Sequence, residues 1–186
     1  QLDARLGKDI SGSFAGADIF LNAVPLDILR TQGEWSYRND VLSIDNAAFT
    51  LEDREAVDRF QPLVARGASL TLADNAIVAD ATLREPESDR EVLRTHIRHD
   101  LATGRGDADL LVDGVLFDER LQPDTLTRLA LGVVANARGV LRGKGRIAWD
   151  ENAVTSTGTF TTDALDFAAA FGPVTGLSGS VEFADL

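Results

Sequence analysis

Two neighbouring stretches decide the fold: RGVLRGKGRIAW, residues 138–149, and VTSTGTF, residues 154–160. In the first, Leu141, Ile147 and Trp149 alternate with arginines and a lysine. In the second, every other residue is a threonine, at positions 155, 157 and 159. A period of two is typical of strands, because successive side chains point to opposite faces of a sheet. Threonines in alternation also favour a strand over a helix. With a short DEN turn between them, the two stretches predict a β-hairpin.

The same alternation recurs along the rest of the chain. A second hairpin is predicted over 68–83, with Asp74-Asn75 as its turn, and another strand over 177–183. The apolar phase slips by one residue near Asp45-Asn46, which predicts a β-bulge. Further strands are expected near 8–14, 18–23, 33–37, 41–51, 93–101 and 108–117.

Helical patterns are scarce and short. Candidates lie at 53–63, where Pro62 would end the helix, at 123–134 and at 163–171, before Gly172-Pro173. Residues 84–94 are rich in charge and predict an exposed loop. The fold class expected is therefore mainly β: a long, twisted antiparallel sheet with a few short helices, forming one segment over 1–186.

Composition narrows the functional classes. An apolar fraction of 44% fits a folded protein. The net charge of −12 argues against nucleic acid as a partner, since that needs a basic surface. The absence of cysteine excludes disulfides and thiol chemistry, and no apolar run reaches the ~18 residues of a membrane span.

No catalytic or metal site is expected, and no cofactor. His96 and His99 are three residues apart in a predicted strand, so they point to opposite faces and cannot share one ion. Asp107, Asp109 and Asp113 lack the spacing of a calcium loop and predict a solvated acidic face. The nucleophile motif GxSxG is absent from the sequence, and we expect no enzyme.

The C-terminal part of the sequence is the most recognisable. Residues 138–186 resemble the AsmA-like superfamily of Gram-negative envelope proteins, in particular its YdbH-type branch. The stretches that carry the likeness are GKGRIAW, STGTF, TDALDF, FGPV and LSGSVEFADL, residues 143–149, 156–160, 162–167, 171–174 and 177–186. They are glycine-punctuated β motifs.

This resemblance implies a U-shaped antiparallel sheet with an apolar concave face, which conducts phospholipid between the inner and outer membranes. The expected partners are then phospholipid, the rest of the same chain with an inner-membrane anchor, and an outer-membrane lipoprotein at the C-terminal end. The expected location is the periplasm, tethered to the inner membrane. Since the sequence starts at Gln1 and stops directly after a strand-like run, we expect an internal segment of a longer chain.

Nine side chains occupy the apolar phase of their strands and are the candidate lipid contacts. A non-conducting periplasmic β scaffold, or an interaction module with a filled core, is the alternative, because inward apolar residues serve either purpose. The nine residues are Leu70, Leu72, Ile77, Leu141, Ile147, Trp149, Phe160, Val181 and Phe183.

Overall fold

A computed structural model describes residues 2–5, 9–21, 24–56 and 59–184, with the side chains described from residue 9 onward. Within these residues the chain forms eleven strands, β1 to β11. They are Leu2–Arg5, Ile10–Phe20, Leu26–Arg38, Val41–Asp53, Leu63–Ala73, Ala76–Arg84, Glu91–Asp100, Arg105–Phe117, Val134–Trp149, Val154–Ala169 and Gly172–Ala184.

All eleven strands belong to one sheet, in which each strand pairs with its neighbours in the sequence. Every pairing is antiparallel, as the hairpin patterns predict. The order ends at β1 on one side and β11 on the other, so the sheet is open and does not close into a barrel. The predicted fold class, a curved and mainly β sheet with little helix, is confirmed.

Several boundaries differ from the prediction; for example, the strand expected at 33–37 runs over Leu26–Arg38. The stretches 8–14 and 18–23 were expected as separate strands, but Ile10–Phe20 is one strand that accommodates Gly16 as a bulge; residues 8 and 22–23 lie outside the described part. The predicted loop 84–94 is also shorter, because β7 begins at Glu91, which pairs with Arg84. The backbone N–H groups of Glu87 and Ser88 donate to the buried Glu85 carboxylate, which closes this turn within residues 85–90.

The helix predictions are largely wrong. Residues 163–171 lie mostly in β10, where pairing with both β9 and β11 overrides a local helical pattern. The described residues of 53–63 contain no helix. The candidate at 123–134 is reduced to one α-helical turn, α1 at Pro123–Leu126, and a 3₁₀ turn at Arg128–Ala130.

β-bulges recur through β2 to β5 and through β8 to β11, whereas β7 pairs with β8 without a register shift. The register shifts in the middle of the strands, and residues with left-handed backbone angles lie at most of these shifts. One of them is Asn46, so the predicted bulge near Asp45-Asn46 is confirmed. Bulges bend a strand and increase its twist, so they curve the sheet. We call this set of bulges the crease; its left-handed residues are Gly16, Arg30, Asn46, Gly67, Gly114, Asn136 and Gly176.

The crease divides the sheet between two rims of different kinds. On one side the strands are joined by short turns, such as Asn39-Asp40 and Asp74-Asn75, whose residues all have positive φ. This edge is the turn rim. On the other side lie the longer connections, including 54–62 and 118–133. This edge is the loop rim, and the segment 118–133 is called the strap.

The hydrophobic core lies along the crease and on its loop-rim side. One cluster of buried residues comprises Leu63, Ala65, Ala68 and Leu83, and a second comprises Val115, Phe117, Leu121 and Ala137. Val92 of β7 packs against both clusters, and so does Leu126 of the strap. The strap therefore covers this half of the apolar face, which we call the covered half.

Candidate functional site

One face of the sheet is apolar from β2 to β11. Residues paired across strands share a face, so the register traces rows of side chains through the sheet. One row near the turn rim contains, in spatial order, Trp149, Gly106, His99, Ile77, Leu72, Leu42, Tyr37 and Ile10. The next row toward the crease contains Ile147, Ala108, Ile97, Ala79, Leu70, Ile44, Trp35 and Gly12. These rows form the open half of the apolar face, between the crease and the turn rim.

The register places all nine candidate side chains on this apolar face. Eight lie in the open half, whereas Leu141 lies beside the crease and packs against the second core cluster. None of the nine is fully buried, and Val181 and Phe183 are exposed. Within the described residues of the two rows near the turn rim, Ala108 is the only buried apolar residue. Contact of these nine residues with lipid stays a prediction.

Aromatic side chains of the open half lie flat over glycines. Trp149 covers Gly106, where an added Cβ would stand 2.4 Å from the indole ring, and Phe160 covers Gly143 in the same way at 2.5 Å. A larger residue at either glycine would displace the ring. The glycines of the predicted hairpin therefore allow aromatic rings to lie against the sheet, which keeps the open half smooth.

The aromatic groups of the open half also contact one another. The Trp149 indole N–H donates to His99 Nδ1 at 3.2 Å, and the two rings stack with their centroids 6.0 Å apart. Phe160 and Phe183 meet edge to face at 5.8 Å. The polar nitrogen of Trp149 is therefore paired within this face, whereas the indole N–H of Trp35 in the same half has no hydrogen-bond partner.

The opposite face carries the charged side chains of the same strands. Arg98 is paired with Asp107 and, at 2.8 Å, with Asp109, and Arg146 lies within 3.7 Å of both carboxylates. The carboxylate of Asp107 has a lowered pKa because the Arg98 guanidinium donates to it. The predicted acidic face is thus an array of alternating charges across β7, β8 and β9. Exposed pairs of this kind add little stability but keep the face hydrated.

The two histidines lie on opposite faces, as their spacing predicts. His96 belongs to the charged face, where Nδ1 is 2.7 Å from the Asp80 carboxylate, and His99 belongs to the apolar face. In the part of the chain that the structure describes, no three His, Asp or Glu side chains come together as a metal site requires.

The strap is anchored through its first five residues. The Gln122 side chain continues the β8 ladder beyond the end of that strand: its Oε1 accepts from the Ala137 N–H at 2.8 Å, and its Nε2 donates to the Ala137 carbonyl at 2.9 Å. Arg90 donates to both oxygens of Asp118, at 2.8 and 2.6 Å. These contacts lower the pKa of Asp118 to about 2.

The strap reaches across the sheet to the connection between β4 and β5. The Gln61 N–H donates to the Leu126 carbonyl at 2.7 Å, although two strands, β6 and β7, lie between these loops in the sheet. The β4–β5 connection is held in place by Asp53, whose buried carboxylate accepts from Arg59 Nε and Nη2 at 2.9 Å each. This pairing lowers the pKa of Asp53 to about 2.

Sequence reasoning missed part of this site. Trp35, Tyr37, Leu42 and Ile44 line the open half as fully as the nine candidates do. Their alternation predicts that they share one face of their strands. The order of the hairpins along the chain is enough to assign that face to the apolar side of the sheet. The strap carries no comparable signal, because its contact with Gln61 joins segments far apart in the sequence.

The comparison with family models decides the affiliation. A model described as "YdbH-like: Intermembrane phospholipid transport protein YdbH" matches residues 1–186, which is the whole chain. The chain belongs to the YdbH-like family. The resemblance seen in the C-terminal third therefore extends over the full length. No curated protein and no solved structure matches the chain.

Membership of the YdbH-like family indicates a role in intermembrane phospholipid transport, with phospholipid as the substrate. It is a family of lipid transport proteins and is not known for enzymes. Transport between membranes places it in the cell envelope. Within the described residues, no helix has the length and apolar character needed to cross a membrane.

Proposed function

We propose that this YdbH-like chain is a lipid-conducting segment of a bridge between the inner and outer membranes, and that acyl chains move along the open half of its apolar face. The observation that carries the proposal is the unequal covering of that face. Core clusters and strap cover the loop-rim half, while the other half presents half-buried or exposed aliphatic and aromatic side chains across ten strands.

The energetics fit such a conduit. Exposing two acyl chains to water costs on the order of 20 kcal/mol at ~0.8 kcal/mol per methylene. A continuous apolar surface removes most of that cost without any chemical step. The ten strands of the apolar face, β2 to β11, are spaced ~4.8 Å apart and extend it about 43 Å along the stacking direction, which is longer than one phospholipid.

The finer parts of the proposal concern the surroundings of this segment. A longer chain with an inner-membrane anchor holds it in the periplasm, and an outer-membrane lipoprotein receives the C-terminal end. The charged outer face supports an aqueous compartment, because hydrated ion pairs such as Arg98–Asp109 cover it. Fractionation of the full-length product, with and without its N-terminal region, tests the tether.

Photocrosslinking tests the conduit. Phe160 and Thr161 are adjacent in β10 and lie on opposite faces. With p-benzoylphenylalanine at position 160, irradiation in cells labelled with ³²P is expected to attach phospholipid to the protein. The same group at position 161 is the matched control and is expected to attach much less.

Equal labelling at the two positions, or none at either, would overturn the proposal. Native mass spectrometry of the purified chain gives an independent reading, since a lipid-conducting groove is expected to retain phospholipid. A protein that carries none and crosslinks none is the non-conducting scaffold with a filled core.

A further inference from the structure

We propose that the strap is a hinged lid: its first five residues stay fixed, while residues 123–133, the tip, swing away from Gln61 and uncover the second half of the apolar groove. This inference rests on the proposed function, since the lid controls how much of the groove a lipid can occupy. It assigns a moving part to a segment that the transport role alone does not explain.

The fixed end is well determined. Leu121 is 1% exposed and lies in the second core cluster, and Gln122 forms two hydrogen bonds with the buried Ala137. Asp118 is held by both nitrogens of the Arg90 guanidinium. Buried and densely bonded segments open only with the surrounding structure.

The tip is held less firmly, with Ala130 as its one buried residue. None of the four residues of α1 is buried, and its N-cap residue forms no capping hydrogen bond, because the Gln122 side chain is directed at Ala137. Leu129, Leu131 and Val133 are 61%, 58% and 58% exposed. The Ala130, Leu131 and Val133 N–H groups all bond to carbonyls of the tip itself, so they do not fasten it to the sheet.

Two points allow the tip to turn. Gln122 precedes it with an extended backbone, φ −120° and ψ 158°. Gly132 near its other end has φ +73°, and nothing lies within 4 Å of the place where a Cβ would be. A left-handed glycine in open space changes conformation at little steric cost.

Lipid favours the open lid because it makes apolar contacts with the groove that are possible only when the lid is open. With the lid closed, Leu126 packs against residues of both core clusters, and lifting it in water would expose apolar surface. An acyl chain in the groove replaces those contacts with its own. Opening is therefore favoured when lipid is present and disfavoured when it is absent.

Reversible crosslinking tests the lid. Gln61 and Arg128 line the same small cleft between the strap and the β4–β5 connection, and the chain contains no cysteine. The variant Gln61→Cys/Arg128→Cys is joined with a short bis-methanethiosulfonate reagent, which dithiothreitol removes. A second variant, Ser43→Cys/Thr71→Cys, joins two residues already paired on the charged face and is the control.

The readout is uptake of NBD-labelled phosphatidylethanolamine from phosphatidylethanolamine–phosphatidylglycerol vesicles. Closing the lid is expected to slow uptake by about tenfold or more, with recovery after dithiothreitol, whereas the control crosslink has no effect. Undiminished uptake by the crosslinked protein would overturn the lid and leave the conduit intact. If the protein without crosslinker takes up no lipid, the proposed function itself fails.

Hydrogen exchange tests the movement of the tip in the absence of lipid. The Ala130, Leu131 and Val133 amides are expected to exchange at least about a hundredfold faster than the Ala137 amide, which is bonded to the fixed Gln122. Equal protection of tip and fixed end would show a static roof and contradict the proposal.

Discussion

At the scale of single residues, the curvature of the sheet depends on backbone angles that few side chains tolerate. Gly67 has φ +73° and lies at the shift that offsets β5 against β4. No atom stands within 4 Å of the Cβ it lacks, so the reason for glycine there is the angle and not the space. Arg30 and Asn46 adopt the same region with side chains, so parts of the crease are strained.

Gly67→Ala is expected to lower the free energy of unfolding by about 1 kcal/mol, because alanine is strained at this angle. Gly158→Ala is the matched control: Gly158 lies in β10 at an ordinary strand angle, and its added Cβ would meet only ordinary contacts at 3.4 Å and beyond. Urea unfolding of both variants measures the difference. Equal losses would show that the left-handed angle is not what the crease requires.

At the scale of elements, a side chain takes the place of a strand. Gln122 satisfies both backbone groups of Ala137 and also donates to the Asp118 carbonyl at 2.6 Å. Gln122→Ala removes all three hydrogen bonds and leaves the buried Ala137 groups without these partners. We expect the free energy of unfolding to fall by about 2 kcal/mol.

Gln32→Ala is the control for that loss, because Gln32 is exposed on the charged face of β3. It is expected to change stability by less than about 0.5 kcal/mol. Denaturant titrations compare the two variants. If both unfold at the wild-type midpoint, the strap is not anchored through Gln122.

The strap is also expected to respond to acid at an unusually low pH. The pKa of Asp118 is lowered to about 2 by Arg90, so its ion pair contributes stability above the usual aspartate pKa of about 3.9 and loses that contribution as the pH falls through about 2. The Arg120 N–H donates to Asp118 Oδ1 at 2.8 Å and reports this titration. Its amide NMR shift is expected to change with a midpoint near pH 2.

Asp118→Asn should abolish that transition. A wild-type midpoint near 4 would mean that Arg90 does not hold Asp118 in solution. The same loss of anchoring in acid is expected at the β4–β5 connection, where Asp53 also has a pKa of about 2.

The elements also show how far sequence reasoning reaches. The hairpin over 138–160 is predictable because alternation, threonine content and turn chemistry all agree. Residues 163–171 could not be predicted correctly, because LDFAAA suits a helix locally and only pairing with β9 and β11 makes it a strand. The position of the strap could not be predicted either, since a single contact such as that of Gln61 with Leu126 produces no periodic pattern in the sequence.

At the scale of the whole molecule, the sheet has two different surfaces and two different halves. One surface carries charged side chains and the other is apolar. On the apolar surface, a packed core lies at the crease and toward the loop rim, and the rest is uncovered. Alternation along each strand predicts the first division. The second division comes from the strap and could not be predicted from any one strand.

The same substitution on the two sides of the crease distinguishes a groove from a filled core. Ile147 is half-buried in the open half, so the carboxylate of Ile147→Asp can stay hydrated, and the variant is expected to fold with a melting temperature only slightly lowered. Its charge makes passage of acyl chains unfavourable, and lipid crosslinking from position 160 is expected to disappear.

Val115→Asp is the matched comparison on the same apolar face. Val115 is 4% exposed and lies in one core cluster with Phe117, Leu121 and Ala137. A carboxylate there would be buried without a partner, at a cost of more than about 3 kcal/mol. The melting temperature of the variant should therefore fall steeply. If Ile147→Asp melts as early as Val115→Asp, the open half is packed in solution. The scaffold with a filled core would then replace the conduit, because a surface that cannot hydrate a carboxylate has no room for a moving lipid.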